Sequence, residues 1–364
     1  MESFLVAVNA VVPFLCYITF GYVMKIKGVV KEDFLQQLNK MVFKVFYPFM
    51  TFYNIYKADA SSLPRPVMLI FCGVSILVLE VILVLTVPRL VKENPRRGVI
   101  IQAIYRSNFV LFGLPLTVSV FGDVASSVAA MVVTVVITIY NTTSVVILEM
   151  FNSEGKTDVK TILVNVVKNP LLQGAMVGLV FFFLGIHVPK SLLTPIAAFA
   201  DATSPVALFV LGGTLHFNAI RGNLKYLVPA LSLKLLVLPA VMLALGYAFG
   251  LRDLELFLLV AIYGTPVAAA SYPMAQNMGG DGELAGQFVV ISTVVATLFI
   301  KKIHPVWVDL LYEECGTDLV HLLQYDIFDP ASVQDEGAVF RLHIHRKIRA
   351  EAEDVFSGCV PVKL

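Results

Sequence analysis

The sequence predicts an all-α polytopic membrane protein, with ten transmembrane helices in two inverted five-helix repeats. Three observations carry that reading. Of 364 residues, 58% are hydrophobic and 15% charged, whereas soluble domains carry about 25% charged residues; the mean hydropathy is +0.82. Ten apolar stretches approach the ~20 residues that cross a hydrocarbon core. Prolines and glycines also recur at one offset. Pro13 and Pro170, Gly21 and Gly178, Gly28 and Gly185, and Pro48 and Pro205 are each 157 residues apart, and they use every Pro and Gly before Tyr56. Five spans per copy is an odd number, so the second copy enters the membrane from the opposite side.

The segments, in order, are Ser3–Met24, Phe34–Tyr56, Pro66–Pro88, Gly98–Phe121, Val124–Glu149, Asn169–Gly185, Ser191–Leu215, Leu224–Gly250, Leu254–Met278 and Leu284–Ile300. The first follows Met1-Glu2-Ser3 without the basic start or cleavage site of a signal peptide, so it is expected to be retained. The second opens on a polar stripe of Gln36, Gln37, Asn39, Lys40 and Lys44. The fourth and ninth carry Gly113-Leu-Pro115 and Gly264-Thr-Pro266, at an offset of 151. Proline lacks the N–H and its ring clashes with the preceding turn; glycine tolerates the dihedrals of a break. Helices broken in lipid are expected only where they are buried or line a wet cavity, and paired breaks point to a central binding site. Asp158–Lys168 reads as an interfacial amphipathic turn. Gly279-Gly-Asp-Gly282 reads as a tight turn, matched by Gly122-Asp123.

Residues 1–150 are therefore assigned to the first repeat and 151–300 to the second. Residues 301–364 form a polar C-terminal tail of different character, with 7 Lys+Arg, 11 Asp+Glu and four of the six histidines. Loops after odd-numbered segments carry twelve Lys and Arg, and loops after even-numbered segments carry four (Lys57, Arg65, Lys190, Arg252). The positive-inside rule then makes loop 152–168 cytoplasmic and leaves the N-terminus outside, in a plasma or inner membrane.

Several classes are argued against. A net charge of +1 does not suit a nucleic-acid partner. Four cysteines without C-x-x-C spacing imply no disulfide framework or zinc site. His343 and His345 of the tail lack further ligands, so no metal or cofactor is expected. There is no Walker A, G-x-S-x-G or H-E-x-x-H sequence, so the chain is not expected to be an enzyme.

Intramembrane ionisable residues are candidates because burying them is costly. Glu80, Asp201 and Lys234 lie inside segments, Arg106 and Asn108 precede the first break, and Asn141 lies in the fifth segment. Glu80, Arg106, Asn141, Asp201 and Lys234 are candidates for coupling or support. The substrate site is expected from Asn108, Gly113, Pro115, Tyr263, Gly264, Thr265 and Pro266. Half-helices beginning near Pro115 and Pro266 would present free N–H groups to an anion. Arg106, two residues from Asn108 on a helix, is expected to point elsewhere.

Arg106-Ser-Asn-Phe-Val-Leu-Phe-Gly-Leu-Pro115 with Phe121-Gly-Asp123 resembles the fourth helix of the auxin efflux carrier family. Pro266-Val-Ala-Ala-Ala-Ser-Tyr272, Gly280-Asp281 and Ile291-Ser-Thr293 resemble the ninth and tenth helices of its bacterial malate and malonate permease-like branch, which is related to the plant PIN transporters. Ser204-Pro205-Val-Ala-Leu-Phe-Val-Leu-Gly212 resembles the seventh. The likeness spans roughly residues 1–300. It implies a fold similar to bile-acid/sodium symporters, with helices 1, 2, 6 and 7 as scaffold and helices 4 and 9 crossing at their breaks. It also implies that Asn108 is the crossing asparagine. The plant proteins' second asparagine has no counterpart, since Tyr263 and Thr265 stand there, so auxin is not the expected substrate. The expected function is a permease for a small organic anion such as malate or malonate. The alternatives are a sodium-coupled symporter of a larger amphipathic anion, and an intramembrane enzyme or receptor. Proton or sodium coupling and a homodimer stay open.

Overall fold

The computed structural model describes residues 2–57, 65–121, 124–152 and 158–296, which all belong to the unit Met1–His304. The tail, Gly122-Asp123 and residues 297–300 of the last predicted segment lie outside the described residues. Among the described residues the regular structure is helical. The elements are α1 (Glu2–Ile26), α2 (Glu32–Met41), α3 (Tyr47–Tyr56), α4 (Pro66–Leu90), α5 (Asn94–Tyr105), α6 (Leu114–Phe121), α7 (Val124–Met150), α8 (Val159–Lys168), α9 (Pro170–Leu184), α10 (Lys190–Thr214), α11 (Ile220–Ser232), α12 (Leu238–Ala248), α13 (Leu254–Gly264), α14 (Ser271–Asn277) and α15 (Gly282–Ala296).

Four stretches are long and apolar enough to cross a membrane: Pro66–Leu90, Met131–Met150, Lys190–Thr214 and Ile220–Ala248. Lys160–Lys168 and Pro170–Leu184, bent by 65°, make a fifth if taken as one span. Val11–Ile26, Phe109–Val118, Leu254–Gly264 and Gly282–Ala296 are shorter apolar helices. Large side chains such as Ile70, Val81, Leu85 and Phe183 point outward, Phe183 being 77% exposed. Lipid solvates such a surface and water does not. The chain is a multi-pass helical membrane protein.

Proline leaves a regular signature. π-turns at Val42–Phe46, Phe109–Gly113 and Leu233–Val237 each end two residues before a proline: Pro48, Pro115 and Pro239. A proline ring would meet the carbonyl four residues back. One extra residue in the turn relieves the clash, and the N–H before each proline bonds five residues back (Tyr47 to Val42, Leu114 to Phe109, Leu238 to Leu233). Pro115 therefore widens its helix, and the break expected at Gly113-x-Pro115 lies earlier, at Arg106–Asn108.

Two matched glycines end two helices in the same way. Gly28 (φ +70°) follows α1 and Gly185 (φ +62°) follows α9, both in the left-handed region that side chains rarely adopt. The next N–H reaches back five residues in each case, Val29 to Met24 and Ile186 to Phe181. Two other matched glycines pack helices closely. Gly21 of α1 faces the Phe209 carbonyl of α10, and Gly178 of α9 faces Phe52 of α3. Gly212 faces the Ile18 carbonyl and Gly174 the Pro48 carbonyl. Small residues let backbones approach where lipid supplies no hydrophobic drive. Helices α1, α3, α9 and α10 form one packed group. Among the remaining helices, α5 is tied to α15, since Arg96 pairs with Asp281 at 3.0 Å and the Asp281 N–H donates to Pro95 O. Asp281 Oδ1 also accepts the Leu284 N–H at 2.9 Å, so the glycine-rich turn caps α15.

A Cβ at Gly212 would overlap the Ile18 carbonyl oxygen, whereas one at Gly222 would meet nothing within 4 Å. Gly212→Ala is expected to lower the melting temperature of the purified protein by several degrees and Gly222→Ala to leave it unchanged, as read by a thiol-reactive dye. Equal melting of the two variants would contradict the packing described.

Candidate functional site

The fourth predicted segment is two helices. α5 stops at Tyr105 and helical structure resumes at Phe109; Arg106 (φ −83°, ψ 126°) is extended and Asn108 has φ −89°, ψ 53°. The ninth is likewise two, with Thr265 extended (φ −78°, ψ 159°) after α13 and α14 beginning at Ser271. The gaps meet each other. Ser107 and Val267 form an antiparallel bridge, the Asn108 N–H donates to Pro266 O at 2.8 Å, and the Val267 N–H donates to Ser292 Oγ of α15 at 2.9 Å. Each break supplies the other with partners that lipid could not offer.

A cavity of about 90 Å³ lies beside this crossing. Tyr47, Met50 and Asn54 of α3 and Ser204 of α10 form one side. Arg106–Leu111, Ile137, Tyr140 and Asn141 of α7, and Ala268–Ala270 form the other. The cavity thus lies between the glycine-packed group and the broken helices.

Arg106 is 4% exposed. Its Nη2 donates to Asn141 Oδ1 at 2.7 Å and its Nη1 faces Met274 Sδ at 2.6 Å. No carboxylate pairs with it among the described residues. The Asn108 Nδ2 is buried without a hydrogen-bond partner among the described residues. Arg106 does not point away from Asn108, as a helix would have required. In extended chain, residues two apart share a side, and both line the cavity.

The remaining sequence candidates divide. Pro266 contributes its carbonyl to the crossing. Gly113 is held against the Phe109 ring, and Pro115 is exposed. Gly264 lies against Pro239. The Tyr263 hydroxyl is 2.6 Å from Ser75 Oγ, and Thr265 Oγ1 donates to Ala261 O at 2.8 Å. None of these six lines the cavity. Glu80 is 5% exposed and accepts from Thr143 Oγ1 at 2.6 Å, in a chain that continues through Tyr105 OH to Ser144. Asp201 is exposed on α10, and Lys234 is fully buried in the third π-turn. Neither touches the cavity.

Sequence reasoning passed over Tyr47, Asn54, Ser107 and Tyr140. Tyr47, Met50 and Asn54 follow one helical face, a polar-tipped stripe in an apolar segment that was open to notice.

The chain matches the membrane transport protein family over residues 6–304. It is 22% identical over 306 residues to an uncharacterized transporter of Methanothermobacter thermautotrophicus, covering 84% of this chain and 98% of the relative. It is 24% identical over 306 residues to an uncharacterized transporter of Methanocaldococcus jannaschii, covering 81% and 97%. A helical membrane chain with two crossed breaks beside a cavity that Arg106, Asn108 and Asn141 line, matched over nearly its whole described length, belongs to the membrane transport protein family of auxin efflux carrier type.

Proposed function

We propose that this chain is a secondary carrier of a small organic anion, a carboxylate of malate or malonate size, working by alternating access on ten helices in two inverted five-helix repeats. The observation that carries the substrate class is Arg106, a buried guanidinium lining the cavity without a carboxylate partner among the described residues. A buried charge needs a counter-charge, and a bound carboxylate supplies one. The planar guanidinium fits a carboxylate in a bidentate manner. Asn141 fixes its orientation, Asn108 offers a free amide N–H, and the helix resuming at Phe109 begins at the cavity, where a helix N-terminus favours an anion.

The repeat is supported by the matched glycines and prolines. Gly28 and Gly185 cap equivalent helices, and Gly21 and Gly178 pack equivalent pairs. Alternating access is supported by the division of the helices into a closely packed frame and a group bearing the breaks. A frame locked at backbone distance leaves the other group to rock against it.

Malonate is expected to raise the melting temperature of the purified protein. Losing a hydrogen bond to a charged ligand costs about 1.5–3 kcal/mol, roughly a ten- to hundredfold change in affinity. Asn108→Ala should weaken malonate binding by about that factor, and Arg106→Gln should abolish it at accessible concentrations. Dimethyl malonate is the uncharged control; if it binds as well as malonate, the anion reading fails.

Glu80, bonded to Thr143 behind the break, is assigned to coupling or support of the site. Glu80→Gln keeps the shape and removes the ionisable group. Uptake into proteoliposomes should lose its pH dependence in this variant, and an unchanged pH profile would leave Glu80 a structural role only.

The Lys and Arg distribution supports a cytoplasmic position for the loop holding Lys92 and an external one for Lys190. With the four native cysteines replaced by serine, Lys190→Cys should react with a membrane-impermeant maleimide in intact cells, and Lys92→Cys should react only after lysis. The opposite pattern would invert the topology.

A further inference from the structure

Lys234 is the second buried basic side chain among the described residues, and the anion site does not use it. It is 0% exposed, in the π-turn Leu233–Val237. Its Nζ donates to Ile104 O at 3.5 Å. That carbonyl belongs to the last turn of α5, just before the break. In a continuous helix it would accept the Asn108 N–H, which is given instead to Pro266 O. Lys234 therefore stands at the electron-rich end of the half-helix α5.

The elements packed against this π-turn are α5, α11, α12 and α13. Their ionisable groups are Arg96, Arg97 and Tyr105; Arg221, Lys225 and Tyr226; Tyr247; and Glu255 and Tyr263. Glu255 pairs with Arg65, Arg96 with Asp281, Tyr105 with Ser144 and Tyr263 with Ser75. No carboxylate pairs with Lys234 among the described residues. Its polar partner among the described residues is the Ile104 carbonyl.

Carriers built on broken helices take up their coupling cations at such freed carbonyls and half-helix C-terminal ends. We infer that Lys234 is a tethered cation occupying that position, so that this protein takes up no free alkali ion at the helix break. One covalently held ammonium replaces the ion, and the carbonyl end of α5 is satisfied in every state of the cycle. Only the link to transport rests on the carrier reading above; the occupancy of the position is independent of it.

The test is thermal melting of the purified full-length protein in sodium chloride and in choline chloride at equal ionic strength. The wild type should melt at the same temperature in both. Lys234→Ala vacates the position, so it should melt lower than wild type in choline and regain at least half of the loss in sodium. Lys234→Met fills the space with an apolar chain and should show no sodium response. If Lys234→Ala does not fold, Lys234→Ser, which is equally short and adds an oxygen ligand, takes its place. A sodium-selective rise in the wild type overturns the inference, as does a folded Ala or Ser variant indifferent to sodium. Malonate uptake by the wild type in sodium-free proteoliposomes is measured alongside. Absence of uptake in either salt counts against malonate as substrate and leaves the melting result standing.

Discussion

The hydrogen bond from the Asn108 N–H to Pro266 O, with the single bridge between Ser107 and Val267, is the interaction on which the rest depends. Opening a helix within the apolar core frees peptide groups that hydrocarbon cannot satisfy, at several kcal/mol each. One broken helix would be left with that cost. Two broken helices crossing at their gaps offset it for each other, and Ser292 of α15 takes the Val267 N–H that the crossing leaves over. The extended residues then have no helical phase to obey. That is why Arg106 and Asn108 face one cavity, and why the Ile104 carbonyl is left for Lys234.

The other polar features arrange themselves around this crossing. Asn141 holds the Arg106 guanidinium from α7. Glu80, Thr143, Tyr105 and Ser144 link α4, α7 and the end of α5 directly behind it. Arg96 and Asp281 join the start of α5 to the start of α15, the helix that also supplies Ser292. Away from the crossing, α1, α3, α9 and α10 meet through glycines and carbonyls; Thr51 of α3 bonds Leu171 O of α9, and Thr203 of α10 bonds Phe46 O at the end of the first π-turn.

Much of the helical architecture was legible because length and hydropathy decide it: the ends of α4, α7 and α10 lie within two residues of the predicted segments. The breaks were legible as events and misplaced in one case. Gly113-x-Pro115 signals a perturbed helix, but a perturbed helix has two outcomes, a gap or a wider turn, and proline chemistry alone does not choose between them. Asn108 was legible as a cavity residue. Gly113, Pro115, Tyr263, Gly264 and Thr265 were expected there on a helical geometry that the crossing does not keep. Tyr47, Asn54 and Tyr140 reach the cavity from other helices, and a pairing between distant segments leaves little trace in one sequence.

The three π-turns have a consequence for the length of the chain. Each holds one residue more than the α-helix it replaces, and one residue turns a helix by about 100°. Such a turn works as a splice. Removing one residue there, with the proline that follows replaced by a residue that has an N–H, would restore regular winding while the flanking stretches kept their faces. A membrane helix otherwise tolerates no change of a single residue without rotating half its surface from protein toward lipid. Phe109–Gly113, Val42–Phe46 and Leu233–Val237 are thus the places within these helices where two related chains can differ by one residue and still bury the same side chains.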